Sequence, residues 1–267
     1  MLGRADPTGE QLTVSFADPT TAAYGMARIR VRTARDGTRA ASAMVFVLAD
    51  GQWRERRCTP FTAVSEASDW PAVDDLQIDT DGDLVTVRAG GAAPIELRFE
   101  PAFGPPVAVG GAEEISGRVH GTVAGLAVDG VGQVGRRPLP GRTPAIWREL
   151  DAWPTADSAV IARAVAQRRA PHGHEELSVA IVEGEPPTAE PISDPRLSTV
   201  YDGEHAPLRV GLELWENEEA EHPRRLAGET LGQLAVDDEG GQVRLAFVRV
   251  HMEGHEGVGR YEIAHAG

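Results

Sequence analysis

Lysine is absent from this sequence, since all 26 residues counted as lysine or arginine in the 267-residue chain are arginine. A chain without lysine forms no side-chain Schiff base and carries no P-loop lysine, so both mechanisms are excluded. The 41 acidic residues give a formal net charge of −15. An acidic surface repels the phosphates of nucleic acids, so we expect no nucleic-acid partner.

Cysteine and long hydrophobic runs are also scarce. Cys58 is the single cysteine, so the chain forms no internal disulfide, which is typical of a reducing compartment. No stretch approaches the roughly 18 apolar residues of a membrane-spanning helix. The first residues, MLGRADPTGEQ, lack the apolar segment of a secretory signal. The sequence therefore predicts a cytoplasmic protein with no integral membrane segment.

Short alternating runs separated by turn residues fill most of the chain. The 30 glycines and 19 prolines are spread throughout, which favours an all-β fold. Residues 26–32 (MARIRVR) alternate apolar and charged side chains, so one face enters a core while Arg28, Arg30 and Arg32 point the other way. Residues 243–253 (VRLAFVRVHME) show the same period of two. These runs predict antiparallel sheets.

The alternation breaks down once, in the proline-rich residues 136–153. We interpret this break as a linker or crossover and predict two β domains, 1–140 and 141–267. Residues 157–169 (DSAVIARAVAQRR) are compatible with a capped helix and, through their β-branched side chains, with a strand. Two internal echoes fit two similar halves: 126–134 with 234–243, and 128–132 with 252–259.

Catalytic signatures are few. No nucleophile-elbow or Walker pattern is present, and we predict no cofactor and no metal site, because the His172 and His174 pair has no third ligand nearby in sequence. His251 and Glu253 lie at the end of a strand, where an inward side chain can act as a general acid or base. Either residue is also compatible with a structural role at the rim of a barrel.

Tryptophans fall near turns or segment ends, at positions typical of the mouth of a ligand-binding barrel. The same positions are typical of rings that close the end of a barrel as part of its core. The candidate ligand-binding tryptophans are Trp70, Trp147 and Trp215.

Three segments resemble the carotenoid 1,2-hydratase (hydroxyneurosporene synthase) superfamily of tandem lipocalin-like proteins. They are residues 24–29 (YGMARI), residues 121–137 with their glycine-rich VDGVGQVGRR, and residues 252–262 (MEGHEGVGRYE). The resemblance implies two consecutive antiparallel lipocalin-like β-barrels or sandwiches packed together, with an apolar cavity. Family members carry Asp or His and then Ser-Trp-Gly after the glycine-rich stretch. Here that place reads GRRPLPGR.

The leading hypothesis is a protein that binds a hydrophobic small molecule, isoprenoid or lipid-like, in a β-barrel cavity. The first alternative is a hydratase, cyclase or isomerase, and whether the chain is an enzyme stays open. A non-catalytic interaction protein is the second alternative. The candidate catalytic residues are Glu253, His251 and Glu262. The candidate ligand-binding residues are Tyr24, Arg136 and Arg137 together with the three tryptophans. If the protein is an enzyme, we expect the two arginines to stabilise charge during the reaction.

Overall fold

The computed structural model describes residues 8–64, 68–139, 146–166, 175–215, 221–238 and 241–266. Within these ranges every regular element is a strand, and no helix is long and apolar enough to cross a membrane. The predicted pair His172 and His174 and the predicted domain boundary between residues 140 and 141 lie outside the described residues.

Eleven strands form the first antiparallel sheet, in the order β4-β3-β2-β1-β11-β10-β8-β7-β6, with β5 on β3 and β9 on β10. The strands are β1 (Thr8–Asp18), β2 (Ala23–Thr33), β3 (Arg39–Ala49), β4 (Gln52–Cys58), β5 (Thr62–Val64), β6 (Gln77–Asp81), β7 (Leu84–Ala89), β8 (Ile95–Pro101), β9 (Val107–Val109), β10 (Ala112–Val123) and β11 (Leu126–Pro138).

Nine strands form the second antiparallel sheet, in the order β15-β14-β13-β12-β20-β19-β18-β17-β16. The strands are β12 (Ile146–Thr155), β13 (Ser158–Ala166), β14 (Glu176–Glu183), β15 (Thr188–Pro191), β16 (Asp194–Tyr201), β17 (Pro207–Trp215), β18 (Arg224–Asp238), β19 (Gly241–Met252) and β20 (His255–Ala266). The segment compatible with helix or strand is therefore a strand over its described part.

The two sheets share one topology. In each, the first strand of the sheet pairs with the last one, β1 with β11 and β12 with β20. The first sheet ends at Pro138 and the second begins at Ile146. The predicted linker over 136–153 is thus too long, because its two ends belong to β11 and β12.

The second internal echo falls on corresponding strands, β11 and β20, and its glycines have a common physical role. A Cβ on Gly130 would lie 2.3 Å from the carbonyl oxygen of Ala17, and one on Gly257 would lie 2.0 Å from that of Trp153. Both glycines therefore allow the last strand to approach the first one closely. The first echo falls on strands that do not correspond, β11 and the β18–β19 hairpin.

Each sheet curls around its own apolar core. Leu12, Val14 and Ile29 belong to the core of the N-terminal half, and Leu150, Val248 and Tyr261 to that of the C-terminal half. Burying such side chains stabilises the fold by about 1.5–3 kcal/mol each. Successive residues of a strand point to opposite faces, so the residues between these positions form the outer face of each barrel.

The outer faces pack against each other along a surface that we call the seam. Part of the seam is apolar, with Tyr24 stacked on Phe247 at 5.8 Å between ring centroids and Trp153 buried nearby. The rest is charged. Arg28 does point away from the barrel core, as its alternation predicts, and it is buried against the second barrel instead of exposed to solvent.

Candidate functional site

Eight charged side chains from both barrels meet in the seam. Four are arginines and four are carboxylates, so the formal charges balance, and all except Arg137 are at most 3% exposed. We call this group the ionic seam. Its members are Arg28, Arg137, Arg163, Arg260, Glu114, Glu149, Asp151 and Glu262.

Arg260 lies at the centre of the ionic seam. Its Nε donates to Asp151 Oδ2 at 2.9 Å, its Nη2 to Glu149 Oε2 at 2.7 Å, and its Nη1 to Glu262 Oε2 at 2.8 Å. The five donors of a guanidinium suit this role because they lie in one plane in a fixed geometry. Arg260 thus holds three carboxylates of the second barrel in place.

The two barrels are joined by reciprocal ion pairs. Arg28 of the first barrel donates to both oxygens of Glu262 of the second, at 2.9 and 2.8 Å. Arg163 of the second barrel donates to Glu114 Oε1 of the first through Nε at 2.8 Å and Nη2 at 2.5 Å. Arg28 faces Thr13 on β1, and Arg163 faces Glu149 on β12.

These two arginines therefore occupy corresponding places, each on the second strand of its own sheet. Each barrel thus donates from one arginine to a carboxylate of the other, and these carboxylates lie on strands that do not correspond, β10 and β20.

Glu149 is the most strongly surrounded carboxylate. Burial alone would raise its pKa, but the guanidinium groups, that of Arg137 foremost, hold the pKa well below the ordinary value of 4.5. Arg137 donates to Glu149 and lies 4.0 Å from the centroid of the Trp147 ring. The indole Nε1 of Trp147 also donates to Glu149 Oε1, at 2.6 Å.

Glu114 differs from the other carboxylates. Its Oε2 accepts from the Gln133 amide at 3.1 Å, and Gln133 in turn accepts from Ser116 at 2.5 Å. Burial raises the pKa of Glu114 to about 7, against the opposing attraction of Arg163. A void of about 10 Å³ lies beside it, lined also by Arg137 and Asp151. That volume is the space of about one water molecule.

A larger cavity opens at one end of the C-terminal barrel. Its volume is about 260 Å³, and we call it the C-terminal mouth. The β12–β13 turn, the end of β14, the start of β18 and the β19–β20 turn surround it. Its lining consists of Pro154, Thr155, Asp157, Ser158, Val160, Ile181, Glu183, Gly184, Arg224, Met252, Glu253 and His255.

The floor and the rim of this mouth differ in chemistry. Val160, Ile181 and Met252 are buried members of the barrel core and form an apolar floor. At the rim, Arg224 bonds Glu183 at 2.7 and 2.9 Å and Glu253 at 2.7 and 2.8 Å. One guanidinium therefore bridges the end of β14 and the β19–β20 turn.

The three predicted catalytic residues do not meet in one place. Glu253 lies at the rim of the C-terminal mouth, with a backbone φ of 52° in its turn. His251 points to solvent and lies 3.8 Å from Glu256. Glu262 is buried in the ionic seam between Arg28 and Arg260.

The predicted ligand-binding residues are also divided. Arg137 and Trp147 lie in the ionic seam, and Tyr24 lies in the apolar part of the seam. Three more lie outside both regions: Trp70 belongs to the N-terminal core, Arg136 stacks over its ring at 5.5 Å, and the guanidinium of Arg196 lies 5.7 Å from the ring of Trp215.

Sequence reasoning missed several central residues, Glu114, Arg163 and Arg224 among them. Arg163 carried a usable signal, because it is a lone charge in an apolar strand, AVIARAVA. A charge in such a run is expensive to bury unless it is paired. No group of three or more histidine, cysteine or acidic side chains placed to hold a metal occurs within the described ranges.

Comparison with known proteins identifies the architecture. No protein-family model matches the chain, and no curated protein matches it. Among solved structures, it is similar to a candidate AttH protein of Nitrosomonas europaea, with a TM-score of 0.69 and 13% identity over 97% of this chain and 92% of the other. The fold is that of two packed lipocalin-like domains.

Two further solved structures share this fold. Kievitone hydratase of Nectria haematococca aligns with a TM-score of 0.65 and 10% identity, over 97% of this chain and 89% of its own. CghA in complex with Sch210972 aligns with a TM-score of 0.54 and 13% identity, over 98% and 89%. At such low identities the likeness concerns the fold alone.

Proposed function

We propose that this protein binds a small hydrophobic molecule, isoprenoid or lipid-like, in the C-terminal mouth. The observation that carries the proposal is the cavity of about 260 Å³ over the apolar floor of Val160, Ile181 and Met252. Small-molecule sites are concave and mostly apolar, with a few placed polar groups, and their volumes begin at about 300 Å³. The C-terminal mouth, at about 260 Å³, is slightly smaller than this, and seven polar or charged residues line it beside the apolar floor.

The other cavities fit a hydrophobic ligand less well. The void in the ionic seam is polar and holds about one water. An open groove of about 370 Å³ lies on β7, β8 and β10, and its lining, which includes Arg88, Glu96, Arg98 and His120, is mostly charged or polar. Among these three, the C-terminal mouth has the most core side chains in its lining, Val160, Ile181 and Met252.

Ligand capture tests the proposal. The purified protein is incubated with a lipid and isoprenoid extract and examined by native mass spectrometry, beside the rim variant Ser158→Trp, which places an indole in the mouth. The matched control is Ser198→Trp, on the exposed face of β16. We expect a captured apolar ligand in the wild type and the control, and its loss in Ser158→Trp. Capture that is equal in all three proteins, or absent from all three, contradicts the proposal.

A second candidate function is acid–base catalysis of the hydratase, cyclase or isomerase type, and Glu114 favours it. A buried carboxyl group with a pKa of about 7 is suited to donate a proton near neutral pH. The neighbouring guanidinium of Arg137 is placed to steady negative charge. A substrate reaches Glu114 only if the seam opens, because the void beside it is about 10 Å³.

Reaction in deuterated water tests this second function. Hydration adds one molecule of D2O across an alkene, and isomerisation exchanges a carbon-bound hydrogen for deuterium. Isoprenoid alkenes are therefore incubated with the protein, and the masses of the products are measured by mass spectrometry. We expect label in the wild type and not in Glu114→Gln. Equal labelling of both proteins excludes Glu114 as the acid.

Little in the described structure supports the second alternative, a non-catalytic interaction protein. The large hydrophobic residues exposed within the described ranges are Val200, Tyr201 and Leu208. These three lie together where β16 and β17 pair at their shared end, and interaction sites form larger continuous patches than three side chains.

A further inference from the structure

The rim of the C-terminal mouth carries an excess of carboxylates. Arg224 is shared by Glu183 and Glu253, so this group of three has a formal charge of −1. Asp157, which also lines the mouth, is neutralised by Arg118 of the first barrel at 2.7 Å. A ligand that enters the mouth therefore meets net negative charge.

Glu183 remains ionised at neutral pH. Hydrogen bonds from Arg224 hold the pKa of Glu183 below its ordinary value. The side chains of Glu183 and Glu253 are 43% and 48% exposed, so water and an incoming ligand both reach them. Both carboxylates are thus accessible, and Arg224 fixes their position.

The carboxylates of the rim can recognise hydrogen-bond donors on a ligand. Each oxygen of Glu183 and Glu253 accepts one hydrogen bond from Arg224. A carboxylate oxygen has two acceptor sites, so each retains one for a ligand. A hydroxyl or ammonium group fits these sites, whereas a carboxylate on the ligand is repelled unless it displaces a glutamate from Arg224.

We infer that the C-terminal mouth selects hydrophobic molecules whose polar end is a hydrogen-bond donor, an alcohol or an amine, and rejects the corresponding acids. This inference rests on the proposed binding function and adds the chemical class of the ligand. Glu183 and Glu253 accept hydrogen bonds from the polar end of the ligand, and Arg224 is a positioning residue that holds both glutamates in place.

Three probes with one hydrocarbon chain test the selection: geraniol, geranylamine and geranic acid. Their dissociation constants are measured by calorimetry at neutral pH with the wild type and with the double variant Glu183→Gln/Glu253→Gln. Glu256→Gln is the matched control, because Glu256 lies in the same β19–β20 region, pairs with Arg249, and is absent from the lining. Thermal unfolding of each protein verifies that it is folded.

We expect geraniol and geranylamine to bind the wild type and the control at least tenfold more tightly than geranic acid. In the double variant the negative charge of the two rim glutamates is removed, so we expect geranic acid to gain affinity and its difference from geraniol to shrink. If geranic acid binds the wild type as tightly as geraniol, the inference is wrong and the binding function stands. If none of the probes binds, and no ligand is captured from the extract either, both the inference and the binding function are wrong.

Discussion

The ionic seam and the rim of the C-terminal mouth are both built from arginines and carboxylates, yet they differ in balance and in exposure. The seam has four arginines and four carboxylates, nearly all of them out of contact with solvent. At the rim, one arginine serves two glutamates that are almost half exposed. Charges that are buried and matched orient one barrel against the other, whereas an exposed, unmatched charge is available to a ligand.

The largest effect is expected at the centre of the seam. Arg260→Met removes the shared partner of Glu149, Asp151 and Glu262, and leaves four carboxylates with three arginines, so that one buried negative charge is in excess. We expect the free energy of unfolding to fall by about 3–5 kcal/mol, measured by urea denaturation. The matched control is Arg209→Met, whose side chain is 68% exposed beside Glu229. It should lose at most about 1 kcal/mol, and equal losses in the two variants would contradict the difference between seam and surface.

The next effect is a pH dependence that belongs to Glu114. Its pKa is about 7 in the folded protein and has an ordinary value of 4.5. Between these values the folded state holds a proton that the unfolded state has released. The free energy of unfolding therefore falls as the pH rises, by up to about 1.4 kcal/mol per pH unit.

Urea denaturation at pH 5, 6, 7 and 8 measures this dependence. We expect Glu114→Gln to lose it, because the amide does not titrate. The control Glu113→Gln, an exposed neighbour on the same strand, should keep it. If both glutamine variants retain the wild-type profile, Glu114 is not the group that titrates.

The smallest effect is expected at the rim. Arg224→Met also leaves two carboxylates without their partner, but water reaches both of them. We expect a loss of about 1 kcal/mol or less, measured by the same urea denaturation. A loss as large as that of Arg260→Met would show that the rim is structural, like the seam, and would weaken the case for a ligand there.

The alternation of the strands predicted the sheets because the barrel interiors are apolar on one face only. Residues 26–32 show this plainly, and β2 contains all of them. Alternation does not reveal what covers the other face. The arginines of β2 have the same pattern whether they lie in water or against a second barrel, so the seam was not predictable from it.

Burial of charge also explains why the predicted linker was too long. Residues 146–153 (IWRELDAW) contain an arginine, a glutamate and an aspartate, and such a composition is typical of a loop. In the structure Glu149 and Asp151 form one face of β12 and are buried because Arg260 neutralises them. Glu253 was identified from its place beside a turn, whereas its partner Arg224 lies on another strand, and no local pattern connects the two.

The pairing of the first and last strands of each sheet has a consequence for how the chain can be divided. In each half the chain returns to its first strand, so the ladder of β1 with β11 and that of β12 with β20 each lie within one half. We therefore propose that the two halves, made as separate polypeptides, associate through the reciprocal pairs Arg28–Glu262 and Arg163–Glu114.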